Sequence, residues 1–504
     1  MNCIIKVNNV KSKITGLKSN YLNLLSKELS VQMPNYYFSE AFRSGRWDGY
    51  QRFLTRPANT FPTGLLPKVV EFLVDDCNIV PILEDCRKNL GDVMLSPVQS
   101  KYFVGNHKEL RAYQIDAINI TANNQILGIP FQRGVINIAT NGGKTVIAEG
   151  IIRELYPQLQ RCNGVLLFAT HSKEIAYQAQ KSIETDLGIQ VGFIGDGKWD
   201  VKPVTITIMA TVYSRMKNNG IDFEELKDKV RGIIIDEAHH VIANSFYDVF
   251  SQLSNASIRL GLTGTVDKKN LINEMKLYSC TGSILTKISN DFLIKSRVSA
   301  KPICIMFKID SPELSGMEYQ DAYRYGIIEN EIRHDVIYHI CDKETAANHT
   351  VLILVERLDH GQNIQEVLQP LGKKVYFTNG QLSSNERIHL LDKMRDGELD
   401  ILISSNILDE GVDVSGINAV IYARGMKSTR KLLQGIGRGL RLKVDNSKLR
   451  FYDFIDDTHL KLLLHSQERY RALAAEKFVV KLMSVQSYDA ASWDEINDEE
   501  TDES

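Results

Sequence analysis

Two short segments constrain the fold more than anything else in the chain. Ile138-Ala-Thr-Asn-Gly-Gly-Lys144-Thr145 follows one apolar run, and Ile235-Asp236-Glu237-Ala238-His239 follows another. A glycine-rich turn after a buried strand and ahead of an apolar helix predicts a phosphate loop. Gly142 and Gly143 let the backbone approach phosphate oxygens that a Cβ would block, and Thr140 and Asn141 complete the turn. Lys144 offers a point charge to the β- and γ-phosphates, and Thr145 a hydroxyl to magnesium. An exposed Gly-Gly turn is the bland alternative, and the flanking strand and helix patterns disfavour it. Asp236, ending a buried strand, is expected to face this loop and hold Mg2+. Glu237 points elsewhere and is suited to orienting and deprotonating a water. Together the segments predict hydrolysis of a nucleoside triphosphate.

The surrounding pattern is that of an α/β protein. Apolar runs at 135–139, 165–169, 205–210, 232–235 and 258–262 alternate with helical patterns such as 146–156 and 174–186. The alternation restarts after residue 298, with runs at 302–307, 351–355, 375–378, 401–404, 419–423 and 450–455. Strands alternating with helices predict parallel sheets. The expected organisation is therefore a small α+β module over 1–100, parallel-sheet domains over 101–297 and 298–484, and an acidic disordered tail over 485–504.

A chain of 504 residues is long enough for several cores. Its formal net charge of −2 argues against nucleic-acid binding by bulk charge, while leaving room for a local basic groove. The seven cysteines are scattered with no Cys-x-x-Cys, so a zinc site or disulfide framework is not expected and a reducing compartment is. Neither a secretory leader nor a membrane span is expected, and the cytoplasm is the expected location.

Gln434-Gly-Ile-Gly-Arg438-Gly-Leu-Arg441 adds a third element late in the second α/β region. Arg438 and Arg441 are three apart and so share one helical face, where guanidinium groups can neutralise charge on a leaving phosphate. An exposed basic helix is the alternative, and it is the better reading of this segment taken alone.

In order, these segments resemble motifs I, II and VI of superfamily 2 helicases of the DExH group. Leu110-Arg111-Ala-Tyr113-Gln114 looks like the adenine-binding Q-type motif, with Arg111 stacking on the base and Gln114 bonding its edge. Phe168-Ala-Thr170-His171-Ser172 and Met209-Ala-Thr211 look like motifs Ia and Ic, which in the family touch the nucleic-acid backbone. Leu262-Thr263-Gly264-Thr265 occupies motif III. Ser404-Ser405-Asn406-Ile-Leu-Asp409-Glu410-Gly411-Val-Asp413 matches motif V, with Gly411 and Asp413 facing the nucleotide and Ser404 and Ser405 facing the nucleic acid. Gln434 is a further nucleotide contact. The resemblance covers residues 108–480 and implies two tandem RecA-like domains with ATP in the cleft between them. It also implies that His239 bridges toward motif VI. Asn141 departs from the Gly or Ser of many relatives, and asparagine tolerates the left-handed turn required there. Thr-Gly-Thr in motif III is a second departure, which puts coupling of hydrolysis to strand separation in question.

Phe42-Arg-Ser-Gly45-Arg-Trp47-Asp48-Gly49, followed by Pro62-Thr-Gly64-Leu65, resembles the N-terminal domain of UvsW-type bacteriophage helicases. That likeness implies remodelling of branched DNA: Holliday junctions, forks, D-loops and R-loops with their RNA strand. Arg43, Arg46 and Arg52 are the candidate phosphate contacts there, and Trp47 either stacks on an unpaired base or fills the module's core. The protein is expected to act as a monomer. An RNA-directed helicase, a restriction or antiviral motor subunit, and a non-catalytic nucleic-acid binder stay as alternatives; the intact Lys144, Asp236, Glu237, Arg438 and Arg441 set speaks against the last.

Overall fold

The computed structural model describes residues 3–105, 108–242, 244–264, 270–299, 301–309, 313–378, 384–405, 417–427, 432, 436 and 449–498. Gly411, Asp413, Gln434, Arg438 and Arg441 lie outside the described residues. Two compact units emerge, one of Met1–Ile138 with Gly143–Ile288, the other of Ala139–Gly142 with Ser289–Ser504.

The first unit is built on an eight-stranded sheet. From edge to edge its strands are Lys198–Asp200, Gly192–Gly195, Val204–Ile208, Val165–Thr170, Val230–Asp236, Ile258–Thr263, Arg133–Ile138 and Ile284–Ile288. Every pairing is parallel except the hairpin at the Lys198–Asp200 edge. All six residues of Val165–Thr170 and of Ile258–Thr263 are buried, as expected for strands covered on both faces by crossover helices. Parallel strands bring their C-terminal ends to one edge, so residues 139–145, Thr170, Asp236 and Thr263 all follow or end strands there. The 205–210 run ends as a strand at Ile208. A helix, Met209–Lys217, begins at once and carries Thr211 in its first turn.

The N-terminal module has its own four-stranded sheet, ordered Thr60–Pro62, Lys11–Thr15, Ile4–Val7, Ile82–Asp85. Ile5, Val7, Ile14, Leu25, Leu66 and Val69 are fully buried in its core. That core does not close on itself: Phe131, Ile272 and Met275 of the neighbouring α/β region belong to it. Gly64 explains part of the Pro-Thr-Gly-Leu signature, because a Cβ there would stand 1.9 Å from the Tyr278 carbonyl oxygen. The buried Arg133 guanidinium donates to the carbonyls of Asn9 (2.7 Å), Thr281 (3.0 Å) and Cys280 (3.2 Å). Region 1–100 thus has a distinct sheet but shares one compact unit with the α/β layer beside it.

The second unit carries a seven-stranded, wholly parallel sheet: Val375–Thr378, Ile401–Ser404, Val351–Leu354, Ala419–Tyr422, Arg450–Asp456, Ile303–Ile309 and Val479–Met483. The expected disordered tail is corrected for residues 485–498, which form helices Val485–Ala490 and Trp493–Asn497. Tyr488 and Ile496 are fully buried against the sheet's core. Lys343 Nζ donates to the Ala491 carbonyl at 2.7 Å, and Trp493 packs over the Arg450 guanidinium at 4.6 Å. Three apolar anchors among the acids were enough to order the segment, and a tally of charge misses them. Residues 499–504 lie outside the described residues. No helix among the described residues is long and apolar enough to cross a membrane.

A buried ionic knot holds these helices down. Glu344 accepts from Arg450 Nε (2.6 Å) and Nη2 (2.8 Å), sits 2.8 Å from His349 Nδ1, and accepts the Tyr452 hydroxyl. Burial opposes ionisation of Glu344, but the bonds from Arg450, His349 and Tyr452 outweigh it and lower its pKa to about 2. A carboxyl depressed on folding stabilises the folded state above its unfolded pKa, and that contribution is lost as pH falls through the folded value. The knot's contribution therefore fades between the ordinary glutamate range and about pH 2. Glu344→Gln leaves Arg450 buried without its anion and is expected to cost about 3–5 kcal/mol. Thermal unfolding at pH 7 measures that loss. The difference from wild type should shrink as the wild-type glutamate becomes protonated in acid.

Candidate active site

The loop after Arg133–Ile138 turns sharply. Gly142 N–H donates to Ala139 O at 3.0 Å, and both Asn141 (φ 69°) and Gly143 (φ 82°) are left-handed. The asparagine departure is thus accommodated by the conformation it tolerates best among side-chain-bearing residues. Helix Lys144–Arg161 starts immediately, presenting the positive end of its dipole to the loop.

Gln114 backs this loop. Its side chain is buried, its Oε1 accepts the Arg111 N–H at 2.9 Å, and its Nε2 stands 2.4 Å from where a Gly143 Cβ would project. The Q-type segment therefore packs on the phosphate-loop turn, with one end of the Gln114 amide engaged in capping helix Ala112–Asn123. Arg111 is exposed beside Tyr113, with Nη1 3.5 Å from its hydroxyl.

The acidic pair sits on a strained turn. Asp236 ends its strand, and Glu237 has φ 46°, a left-handed value uncommon for glutamate. This sends the two carboxylates in different directions. Asp236 Oδ1 accepts the Glu237 N–H at 3.0 Å. Glu237 Oε1 forms an ion pair with Lys144 Nζ, and Glu237 Oε2 lies 3.3 Å from His239 Nδ1. The same His239 nitrogen is 3.2 Å from Thr263 Oγ1. One chain of contacts therefore runs from the phosphate-loop lysine through Glu237 and His239 to Thr263 of the motif III segment. His239 is buried within this unit, and the segment toward which it was expected to bridge lies outside the described residues.

The electrostatics separate the two acids. Burial, with the Glu237 charge adding and the Lys144 ammonium opposing, raises Asp236 to about 6. Burial also resists ionisation of Glu237, but Lys144 and His239 outweigh it and hold that carboxyl well below the usual range. Among the described residues no cluster of three or more His, Cys, Asp or Glu could cage a metal. One carboxylate (Asp236) and one hydroxyl (Thr145) are instead the hard oxygen donors that suit Mg2+ when phosphates and waters complete its shell.

The expected nucleic-acid contacts divide. Thr170 and Ser404 are fully buried and Ser405 nearly so. Thr170 Oγ1 donates to Ser172 O at 3.2 Å, and Ser404 Oγ to Ser405 O at 2.9 Å. Direct phosphate contact through the side chains of Thr170, Ser404 and Ser405 is therefore corrected: each ends or follows a buried strand, where its hydroxyl satisfies local backbone or stays in the interior. Ser172 caps helix Lys173–Leu187 by accepting the Ile175 N–H at 3.2 Å. His171 stacks on His240 at 3.8 Å, a link from motif Ia to the end of motif II that spacing alone does not reveal. Arg43, Arg46 and Arg52 are exposed, with Arg46 paired to Glu40 at 3.1 Å and Arg52 to Asp48. Trp47 is half-buried rather than a core residue, and its Nε1 donates to Tyr50 O at 2.9 Å.

Comparison with known proteins agrees with this geometry. Residues 107–268 match the family of the type III restriction enzyme res subunit, and residues 332–443 the helicase conserved C-terminal domain. The Saccharomyces cerevisiae protein IRC3 is 27% identical over 367 residues, 69% of this chain and 51% of its own length. The chain thus spans about half of that relative. The ATP-dependent DNA helicase uvsW of Enterobacteria phage T4 is 24% identical over 487 residues, covering 89% of this chain and 92% of its own. Saccharomyces cerevisiae Dbp5, solved bound to RNA and ADP BeF3, superposes with a TM-score of 0.53 at 15% identity, over 76% of this chain and 92% of that one. Its likeness is one of fold.

Proposed function

Because the chain belongs to the superfamily 2 helicases, with two RecA-like domains, we propose that it is an ATP-dependent DNA helicase and translocase that remodels branched DNA in recombination, repair and replication. The supporting observation for hydrolysis is the contact chain Lys144–Glu237–His239–Thr263 at the strand ends. The support for branched DNA is the likeness to uvsW, which spans too much of the chain to leave out the N-terminal module.

In this reading residues 140–143 wrap the phosphates, Lys144 leaves Glu237 for the β- and γ-phosphates, and Arg111 and Gln114 flank the adenine. The freed Glu237 carboxylate then orients and deprotonates the attacking water. Thr145 and Asp236 would hold Mg2+, which neutralises charge on the phosphates when bound. Gly411, Asp413 and Gln434 complete the nucleotide contacts, and Arg438 and Arg441 supply the guanidinium charge, all five on motif alone. Ser172, His171 and Thr211 line the strand-end edge as backbone contacts, and Arg43, Arg46 and Arg52 grip phosphates of a duplex arm or of the branch point. The protein works as a monomer in the cytoplasm of the cell that makes it, a phage-infected one if it is phage-encoded, and meets RNA in R-loops.

An ATPase and product panel tests this. Holliday junction, fork and D-loop are expected to stimulate turnover several-fold more than linear duplex, single strand or structured RNA, with ATP-dependent branch movement. Equal stimulation by all DNAs would remove branch preference, and stimulation by RNA alone would replace DNA as substrate.

A further inference from the structure

The N-terminal module carries an aromatic projection that the motor reading does not use. Phe38 and Tyr37 are 65% and 51% exposed, side by side in a short 3-10 turn, with ring centroids 4.5 Å apart and tilted by 47°. Single exposed aromatics are ordinary, but two adjoining rings held outward on a rigid base are not. The base is Tyr36, which packs edge-on against Tyr37 (5.7 Å) and Phe42 (4.7 Å). Gly49, at φ 84°, makes room for it, since a Cβ there would meet the Tyr36 ring at 2.7 Å. Left-handed Asn35 (φ 56°) sets the start of the turn. The sequence left Trp47 open between stacking on a base and filling the core; the structure ties its indole to Tyr50 O and turns Tyr37 and Phe38 outward.

Charge beside the rings identifies what covers them. Arg43 Nε donates to the Tyr37 carbonyl at 3.2 Å, which fixes the guanidinium next to the exposed pair. Arg46 and Arg52 are matched by Glu40 and Asp48, whereas Arg43 makes no ion pair among the described residues. Exposed aromatic ring faces with one adjacent uncompensated cation match a nucleotide, whose base stacks on a ring while its phosphate meets the guanidinium. A protein partner would more often be met by a wider patch with apolar knobs. We propose that Tyr37 and Phe38 form a stacking platform for unpaired bases of single-stranded DNA at a branch, with Arg43 on the adjoining phosphate. This rests on the DNA-remodelling reading and names the part of the substrate that the module holds.

The test uses the full chain, a thymine oligonucleotide, and a fork carrying 2-aminopurine at the first unpaired position. Wild type is expected to change the 2-aminopurine fluorescence. Tyr37→Ala/Phe38→Ala should abolish that change and weaken binding of oligonucleotide and fork about ten-fold or more. Phe38→Trp should preserve both. If the double variant unfolds, Phe38→Leu decides, because it keeps an apolar group while removing the stacking face. Unaltered affinity and an unaltered fluorescence change in the variants would overturn the platform. So would a loss confined to self-association in sedimentation, which would make the rings a contact between copies. Should no DNA stimulate the wild-type ATPase, the remodelling reading fails, while the oligonucleotide titration still judges the platform.

Discussion

Glu237→Gln is expected to bind ATP at least as tightly as wild type and to lower turnover by about a thousand-fold or more. The amide keeps the size of the side chain but cannot take a proton from water. It also loses the ion pair that holds Lys144 away from incoming phosphates. Removing that competition favours nucleotide binding, so affinity and turnover should move in opposite directions. A purely structural role for Glu237 would lower both. Its left-handed backbone sharpens the distinction, since glutamine is no more strained at φ 46° than glutamate and the variant should fold normally.

Gly143→Ala should fail at the earlier step. The added methyl meets Gln114 Nε2 at 2.4 Å, in a backbone conformation that a Cβ already disfavours. Gln114 cannot simply withdraw, because its Oε1 holds the Arg111 N–H at the start of the following helix. The loop must therefore shift, and the amides and Lys144 that meet the phosphates shift with it. Misplacement of about 1 Å costs about a hundred-fold in such sites. Turnover at saturation should fall by that order, and equilibrium titration with an ATP analogue should show weakened affinity as well. Gln114→Ala in the same background opens the space and should restore part of the binding. Because Gln114→Ala also removes a proposed nucleotide contact, the comparison is with the Gln114→Ala single variant; a Gly143→Ala defect of undiminished size there would place the damage in the backbone strain.

Most of the strand pattern was legible because these strands are buried on both faces and read as unbroken apolar runs. Ile401–Ser404, fully buried, coincides with its sequence-predicted limits; so does Val375–Thr378 at the sheet edge, where only Thr378 is buried but the run is still apolar. Other edge elements were not legible: two of the three residues of Lys198–Asp200 are charged, and Val479–Met483 ends a sheet where burial is partial. Tail order was missed because Tyr488, Trp493 and Ile496 are spaced too sparsely to register against their acidic neighbours. In the site, chemistry followed residue type, so Lys144, Asp236 and Glu237 could be placed on strand ends from sequence. Which hydroxyls reach solvent could not. Thr170 and Ser404 lie at the ends of strands, and only the fold decides that they face inward. The Glu237–His239–Thr263 contacts were equally hidden, since they depend on the register that sets strand Ile258–Thr263 beside Asp236.

In the proposed reaction one carboxylate, Glu237, releases Lys144 to the phosphates and then serves the water. Single-turnover phosphate release, measured beside equilibrium ATP binding for wild type, Glu237→Gln and Lys144→Ala, addresses it most directly. The prediction is tight binding without release for Glu237→Gln and loss of binding for Lys144→Ala. Phosphate release at the wild-type rate from Glu237→Gln, or undiminished ATP affinity in Lys144→Ala, would contradict it.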